Sequence, residues 1–359
     1  MKRLLPLLLA GTVLAGLPAV AQNNAPALNY DGDVNFLKTP NDVYLGEVGG
    51  VAQNSRGDIF VYTRTGHPFM SLGGSRNFMH GGSQLFQFDR TGRFVKEIGH
   101  DMYGFMFANQ VRVDPQDNVW VVDQMTNMVI KFDPQGRQVM LLGRKAESVN
   151  IPFRANPGAA GGGGGEGGGG GGNAAPGAGR PQDVFDRPTD VAWDSQGNIY
   201  VADGQGNSRV AKFDKDGKYI KSWGHKGAGQ SEFDNVRSIA VDAQNNVYVA
   251  DGNNHRIQVF DANGTFKSQI ANVGNPQAIC ISPGANQFLY VSNSNPPGDI
   301  ETAGEIYKMR LDGTIVGKFG KAGRMAKEFG TVNAIDCKTD NSLLVGEIIN
   351  LRVQKVTLR

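Results

Sequence analysis

The apolar positions of this chain alternate with polar ones in short runs, as in "SIAVD" (238–242), "VYVAD" (247–251) and "RIQVF" (256–260). That is the two-residue period of strands, not the period of a helix. Between the runs stand clusters such as "AQNN" and "DANG". Gly and Asn tolerate the positive φ that a tight reversal needs, so each run, turn and run predicts a hairpin. The unit recurs: "NIYVADGQGNSRVAKFDKDG" (198–217) is followed by "NVYVADGNNHRIQVFDANG" (246–264), and further copies begin near residues 58, 118, 288 and 342. Self-similarity at this spacing signals a propeller or solenoid, and four antiparallel strands per copy predict an all-β, six-bladed β-propeller.

The last copy ends one strand short, at Arg359. An unassigned segment, "NFLKTP" (35–40), precedes the first inner strand at Val48. A strand near Val34 to Lys38 is therefore expected to pair beside the C-terminal "LRVQKVTL", closing the ring and removing an open edge. The propeller then covers residues 45–359, with 22–44 supplying the closing strand.

Residues 1–21 read as a signal peptide: Lys2 and Arg3, the apolar run "LLPLLLAGTVLAGL" and the small-residue stretch "PAVAQ" are its three regions, with cleavage near Ala21. An exported protein, periplasmic or extracellular, is expected. No later run reaches the ~18 apolar residues of a membrane span, so no membrane insertion is expected. Export would allow a disulfide between the two cysteines, Cys280 and Cys337. They are one place out of step in the repeat frame, however, and strand side chains alternate faces, which favours two buried small apolar residues. Residues 156–180, "NPGAAGGGGGEGGGGGGNAAPGAGR", contain almost nothing to bury and predict a disordered connection. No strand leads directly into that segment and no Gly-Lys-Ser/Thr occurs, so it is not a phosphate loop.

With 40% hydrophobic and 19% charged residues over a length of 359, the chain can bury a sizeable core. A net charge of +2 gives no reason to expect nucleic acid as a partner. The four strands of a blade are lettered A to D from the inside out. The A-to-B and C-to-D turns, such as "DPQDN" and "DKDG", are uniformly short. The irregular segments, 64–83, 99–109, 294–303 and the Gly-rich stretch, all fall in the other class of connection, so one face is elaborated and is the expected binding side.

The stretch "FDRPTDVAWDSQGNIYVADGQGNSRVAKFDKDGKYIKSWG" resembles the NHL-repeat propellers, and among them the peptidyl-hydroxyglycine amidating lyases, over roughly residues 45–359. The resemblance implies a catalytic zinc held by three histidines at inner-strand mouths, but the matching positions are Asn109, Arg237 and Asn333. The family's catalytic Tyr falls at Gln205, one of its arginines at Gly252 and the Asp of its structural calcium at Ala334; Arg64 is retained. Two amides and a guanidinium cannot replace zinc ligands, so the resemblance carries the fold without the chemistry, and no cofactor is predicted. His67, His80, His100, His225 and His255 are scattered over loops and read as solvated. The recurrent acids Asp123, Asp203, Asp251 and Glu347 read as structural acceptors of backbone N–H groups.

At the inner-strand mouths the ring in register is Gly49, Asn109, Thr189, Arg237, Gln277 and Asn333. It is polar and neutral apart from Arg237, which with Arg64 offers forked donors to an anion. The expected function is a non-catalytic binding scaffold for a peptide, protein or small anionic molecule, acting as a monomer. The alternative is a divergent lyase or hydrolase with zinc or calcium held through oxygen ligands by Glu347, Asp123 and ring amides. A purely structural scaffold is the third reading.

Overall fold

The chain enters through β1 (Tyr30–Asp33) and then lays down six four-stranded antiparallel sheets in sequence order. The computed structural model describes residues 24–66, 69–72, 76–79, 82–143, 184–296, 299–339 and 341–359. The expected signal peptide and Gly-rich connection, and also His67 and His80, lie outside the described residues.

Blade one holds β2 (Glu47–Gln53), β3 (Ile59–Arg64), β6 (Ser83–Phe88) and β7 (Phe94–Ile98); its insertion adds a hairpin of β4 (Phe69–Leu72) and β5 (Arg76–Met79). Blade two is β8 (Ala108–Val113), β9 (Val119–Asp123), β10 (Met128–Phe132) and β11 (Gln138–Gly143). Blade three is β12 (Asp190–Trp193), β13 (Ile199–Asp203), β14 (Arg209–Phe213) and β15 (Tyr219–Trp223). Blade four is β16 (Val236–Val241), β17 (Val247–Asp251), β18 (Arg256–Phe260) and β19 (Phe266–Ile270). Blade five is β20 (Pro276–Ile281), β21 (Phe288–Asn293), β22 (Ile306–Arg310) and β23 (Ile315–Phe319). Blade six is β24 (Val332–Thr339), β25 (Ser342–Glu347) and β26 (Arg352–Leu358), completed by β1.

The inner strands β2, β8, β12, β16, β20 and β24 pack in turn around the axis, and β24 returns to β2. Apolar clusters form between neighbouring blades: Tyr62, Phe105, Val111 and Val121 interlock across blades one and two, and Val201, Phe213, Trp120 and Val129 across blades two and three. Each such side chain contributes about 1.5–3 kcal/mol by leaving water. The hydrophobic effect therefore acts chiefly between blades, and it holds the ring as one body.

The short turns owe their uniformity to one device. Asp114, Asp194 and Asp242 open the A-to-B turns, and the Oδ1 of each accepts from the backbone N–H two and four residues on. The residue that reverses the chain is Asp117, Gly197 or Asn245, each at positive φ. Asp89, Asp133, Asp214 and Asp261 repeat the pattern in the C-to-D turns. A local side-chain acceptor thus replaces the lost ladder bonds.

Closure occurs as expected but not where expected. Tyr30, Asp31, Gly32 and Asp33 pair with Leu358, Thr357, Val356 and Lys355, and Tyr30 packs on Phe319 at 5.2 Å between ring centroids. The segment proposed for this role has moved on to blade one, where Lys38 N–H donates to Gly92 O and Phe94 N–H donates to Lys38 O. Upstream, Leu28 N–H reaches Lys318 O in blade five. One arm therefore fastens blades five, six and one.

The cysteines correct the sequence reading: Cys280 and Cys337 form a disulfide between the inner strands of blades five and six. The alternation argument fails because β24 departs from regular pairing between Asp336 and Thr339. Cys337 lies in that irregularity, and a bulge re-aims side chains that strict alternation would separate.

Candidate functional site

Five of the six ring positions coincide with irregularities in the inner strands. Register shifts fall between Val48 and Gly50, Ala108 and Gln110, Val236 and Ser238, Pro276 and Ile279, and Val332 and Ala334. Gly49, Asn109, Arg237, Gln277 and Asn333 therefore occupy bulges, which turn their side chains out of the ladder. Thr189 immediately precedes β12. At Gly49 only glycine fits, since a Cβ there would stand 2.4 Å from Ala108 O.

The amides of the ring are joined to one another. Asn333 Nδ2 donates to Gly49 O at 2.6 Å and Asn109 O at 2.9 Å, and its Oδ1 accepts from Gln277 Nε2 at 2.7 Å. Asn109 Nδ2 donates to Thr189 O at 2.6 Å, and Thr189 Oγ1 donates to Val236 O at 2.9 Å. Asn109, Thr189, Gln277 and Asn333 thus form one network with Gly49.

Arg237 stands outside that network. Its Cγ would lie 2.7 Å from a Cβ at Gly252, so the glycine makes room for the side chain. With the Asn235 carboxamide oxygen facing it, the guanidinium donates from Nε at 3.1 Å and Nη2 at 2.7 Å. Among the described residues it forms no ion pair with a carboxylate, and burial holds its pKa below the ordinary arginine value against the pull of Asp234. Arg64 is more committed: Nε donates to Ala108 O at 2.8 Å, Nη1 pairs with Glu47 at 2.9 Å, and the guanidinium lies 3.7 Å from the centroid of Phe107. Burial lowers its pKa as well. Arg64 belongs to blade one and Arg237 to blade four, which are opposite in the ring, so the two are not a joint pair.

Deeper along the axis lies a group that the sequence reading missed. Arg112 in β8 makes a bidentate bond to Asp190, with Nε to Oδ1 at 2.9 Å and Nη2 to Oδ2 at 2.6 Å. The same guanidinium donates to Ile335 O at 3.2 Å, Ile279 O at 3.2 Å and Ser238 Oγ at 3.3 Å. It links blade two to blades three, four, five and six. Burial disfavours its charge, but the Asp190 carboxylate outweighs that and raises its pKa.

The recurrent acids act as structural acceptors. Asp123 Oδ2 accepts from Met106 N–H, Phe107 N–H and Tyr62 Oη. Asp203, Asp251 and Glu347 each accept one backbone N–H, an Asn Nδ2 and an Arg Nε, from Arg209, Arg256 and Arg352 in turn. All four are sealed from solvent. His100 pairs with Glu97 and Asp101, His225 with Glu232, and His255 meets Gly274 O; all three are exposed or half-exposed loop residues.

Comparison with known proteins agrees with the architecture. A family model described as Mal s 1 allergenic protein-like matches residues 114–281. Peptidylglycine alpha-amidating monooxygenase of Rattus norvegicus is 26% identical over 340 residues, 88% of this chain and 31% of that protein. Peptidyl-alpha-hydroxyglycine alpha-amidating lyase 1 of Drosophila melanogaster is 26% identical over 290 residues, 75% of this chain and 47% of that one. This propeller is similar in sequence to the peptide-amidating enzymes. It spans a third to a half of the length of those two amidating relatives. Among solved structures, a streptogramin B lyase superposes with a TM-score of 0.54 at 13% identity, covering 92% of this chain and 98% of that one. A gluconolactonase from Xanthomonas campestris gives 0.55 at 14% identity, covering 88% and 87%; likeness at that identity shows the fold alone.

The zinc implied by the amidating resemblance does not fit the residues present. At two of the three positions amide N–H groups are directed into carbonyl oxygens, and at the third stands a cation. No group of three or more His, Cys, Asp or Glu side chains able to hold a metal occurs among the described residues. Asp123 and Glu347 lie in different blades with their oxygens occupied by donors. Among the described residues no helix is long and apolar enough to cross a membrane.

Proposed function

We propose that the protein is an exported binding propeller that takes a small anionic ligand into the mouth of its elaborated face, with Arg237 as the anchor. The observation that carries this is a partly buried guanidinium, at a bulge in the inner ring, whose partner among the described residues is an amide oxygen and no carboxylate. A buried cation without a counter-ion is costly, and a ligand carboxylate or phosphate meets the forked donors in the geometry they favour. Burial also makes such a contact stronger than the same pair in water.

The reading is tested by calorimetric titration of the mature protein with small carboxylates and inorganic phosphate, beside Arg237→Ala. Anion binding that disappears in the variant, with an unchanged unfolding midpoint, is the expected result; equal binding by both refutes it. A separate assay follows turnover of a peptidyl-hydroxyglycine with added zinc. No cleavage above the no-enzyme rate is expected, and clear turnover refutes the non-catalytic reading.

A further inference from the structure

We infer that Lys226 and Asn253 are positioning residues that hold the Asp234 carboxylate away from Arg237 and so leave the anchor open to an anion; this rests on the anion-binding reading above. Asp234 stands three positions before Arg237 and is the carboxylate whose charge acts on it. A carboxylate beside a guanidinium would ordinarily turn onto it, since that pairing is among the strongest hydrogen-bonded contacts either group can make. Here the acid is engaged elsewhere: Asp234 Oδ1 accepts from Lys226 Nζ, in the connection entering blade four, and from Asn253 Nδ2, in the B-to-C loop, at 3.1 Å. Its backbone is fixed as well, because Asp234 N–H donates to Asp251 Oδ1 at 2.7 Å and Asp234 O accepts from Asn253 N–H at 3.0 Å. The acid therefore favours the charged form of Arg237 against burial without covering its donors.

A second copy of the same connection supplies an internal comparison. Blade four reads "GHKGAGQSEFDNVR" (224–237) where blade six reads "GKAGRMAKEFGTVN" (320–333). The structure fixes this alignment: the parallel bridge of Lys226 with Phe233 recurs as Ala322 with Phe329, and Asn253 N–H to Asp234 O recurs as Ile349 N–H to Gly330 O. Lys226, Asp234 and Asn253 thus correspond to Ala322, Gly330 and Ile349, and Arg237 to the neutral Asn333. The backbone frame is common to both blades, so it does not require the three polar side chains. They are present beside the cationic ring residue and absent beside the neutral one, which ties them to the charge of Arg237.

The test is calorimetric titration of the full mature protein with acetate and with inorganic phosphate, comparing Lys226→Met with Asn253→Ala, made together, in the presence and absence of Asp234→Asn. Releasing the acid should weaken the tighter-binding probe about tenfold, within the range of coupling seen for groups that share a network. In the Asp234→Asn background the same two changes should alter affinity by less than about twofold, since no carboxylate is left to release. Equal losses in both backgrounds would make Lys226 an ordinary cation of the mouth and overturn the inference, as would unchanged affinity when the acid is released. Lys226 and Asn253 are exposed, so the unfolding midpoint should hold; if the paired changes disturb the loop, Lys226→Met alone completes the same cycle with Asp234→Asn. Either overturning result leaves the anion reading standing so long as wild type binds and Arg237→Ala does not. If wild type binds neither probe, that reading falls and the inference falls with it.

Discussion

Replacing Arg112 by Met removes the charge at the centre of the ring while keeping much of the side chain's length. Its partner Asp190 is fully buried and would keep the Ser238 hydroxyl at 2.6 Å and the backbone N–H groups of Val191 and Ile239 at 2.8 and 3.1 Å, but no cation. The carbonyls of Ile279 and Ile335 would each lose a donor as well. An exposed ion pair of this kind would be worth about 0–1 kcal/mol. Loss of one partner from a buried, hydrogen-bonded pair costs about 3–5 kcal/mol, because the other charge is left uncompensated. The second figure applies here, since the Asp190 side chain is fully buried. Urea unfolding followed by fluorescence of Trp120, Trp193 and Trp223 measures the loss as a shift in midpoint at constant slope. Arg112→Met and Asp190→Asn should each fall in that range, and the double variant should be less destabilised than their sum by about 1–3 kcal/mol. Single losses below about 1 kcal/mol, or strict additivity, would refute the view of this pair as the hub of the ring.

Two further perturbations address how the ring is held shut. Deleting residues 22–33 removes β1 together with the packing of Leu28 and Tyr30 against blade six, and should lower stability by several kcal/mol, on the order of a large core lesion; an unchanged melting temperature would contradict closure by that strand. Cys280→Ser with Cys337→Ser releases a link of sequence separation 57, for which chain entropy gives about 4 kcal/mol. Unfolding with and without reductant should reproduce that loss in the wild type, and coincident midpoints would show that the bridge does not constrain the unfolded chain.

The repeats were legible because each blade restates the same local chemistry. An Asp that accepts its own turn's N–H groups, a positive-φ Gly or Asn, and an alternating strand can all be read without knowing what lies across the axis. The inner ring was legible for the same reason, as one position per copy. What could not be read was whatever depends on a departure from the copy. "YDGD" at Tyr30–Asp33 looks a poor strand beside "NFLKTP", since Gly and Asp are disfavoured there. An edge strand with one face exposed needs little more than Tyr30 turned inward, so the better-looking segment was free to serve blade one. The disulfide hinges on an irregularity at Asp336 to Thr339 that composition does not announce.

Arg112 shows a different limit. Its sequence signal is only a charge between Val111 and Val113 in an inner strand, and its partner Asp190 lies in the next blade, 78 positions away. A periodic reading compares like positions, and so it pairs Arg237 with Arg64 by type although the ring sets them on opposite sides. The closed geometry decides which charges can meet: Arg112 is drawn into the axis, where a carboxylate and two carbonyls satisfy it, while Arg237, one bulge nearer the mouth, is left with an amide oxygen. One propeller thus holds two arginines of contrasting kind, the first paired with a carboxylate that helps hold the blades and the second without an ion pair among the described residues. That asymmetry is the ground on which Arg237, and not the more heavily bonded centre, is proposed as the ligand anchor.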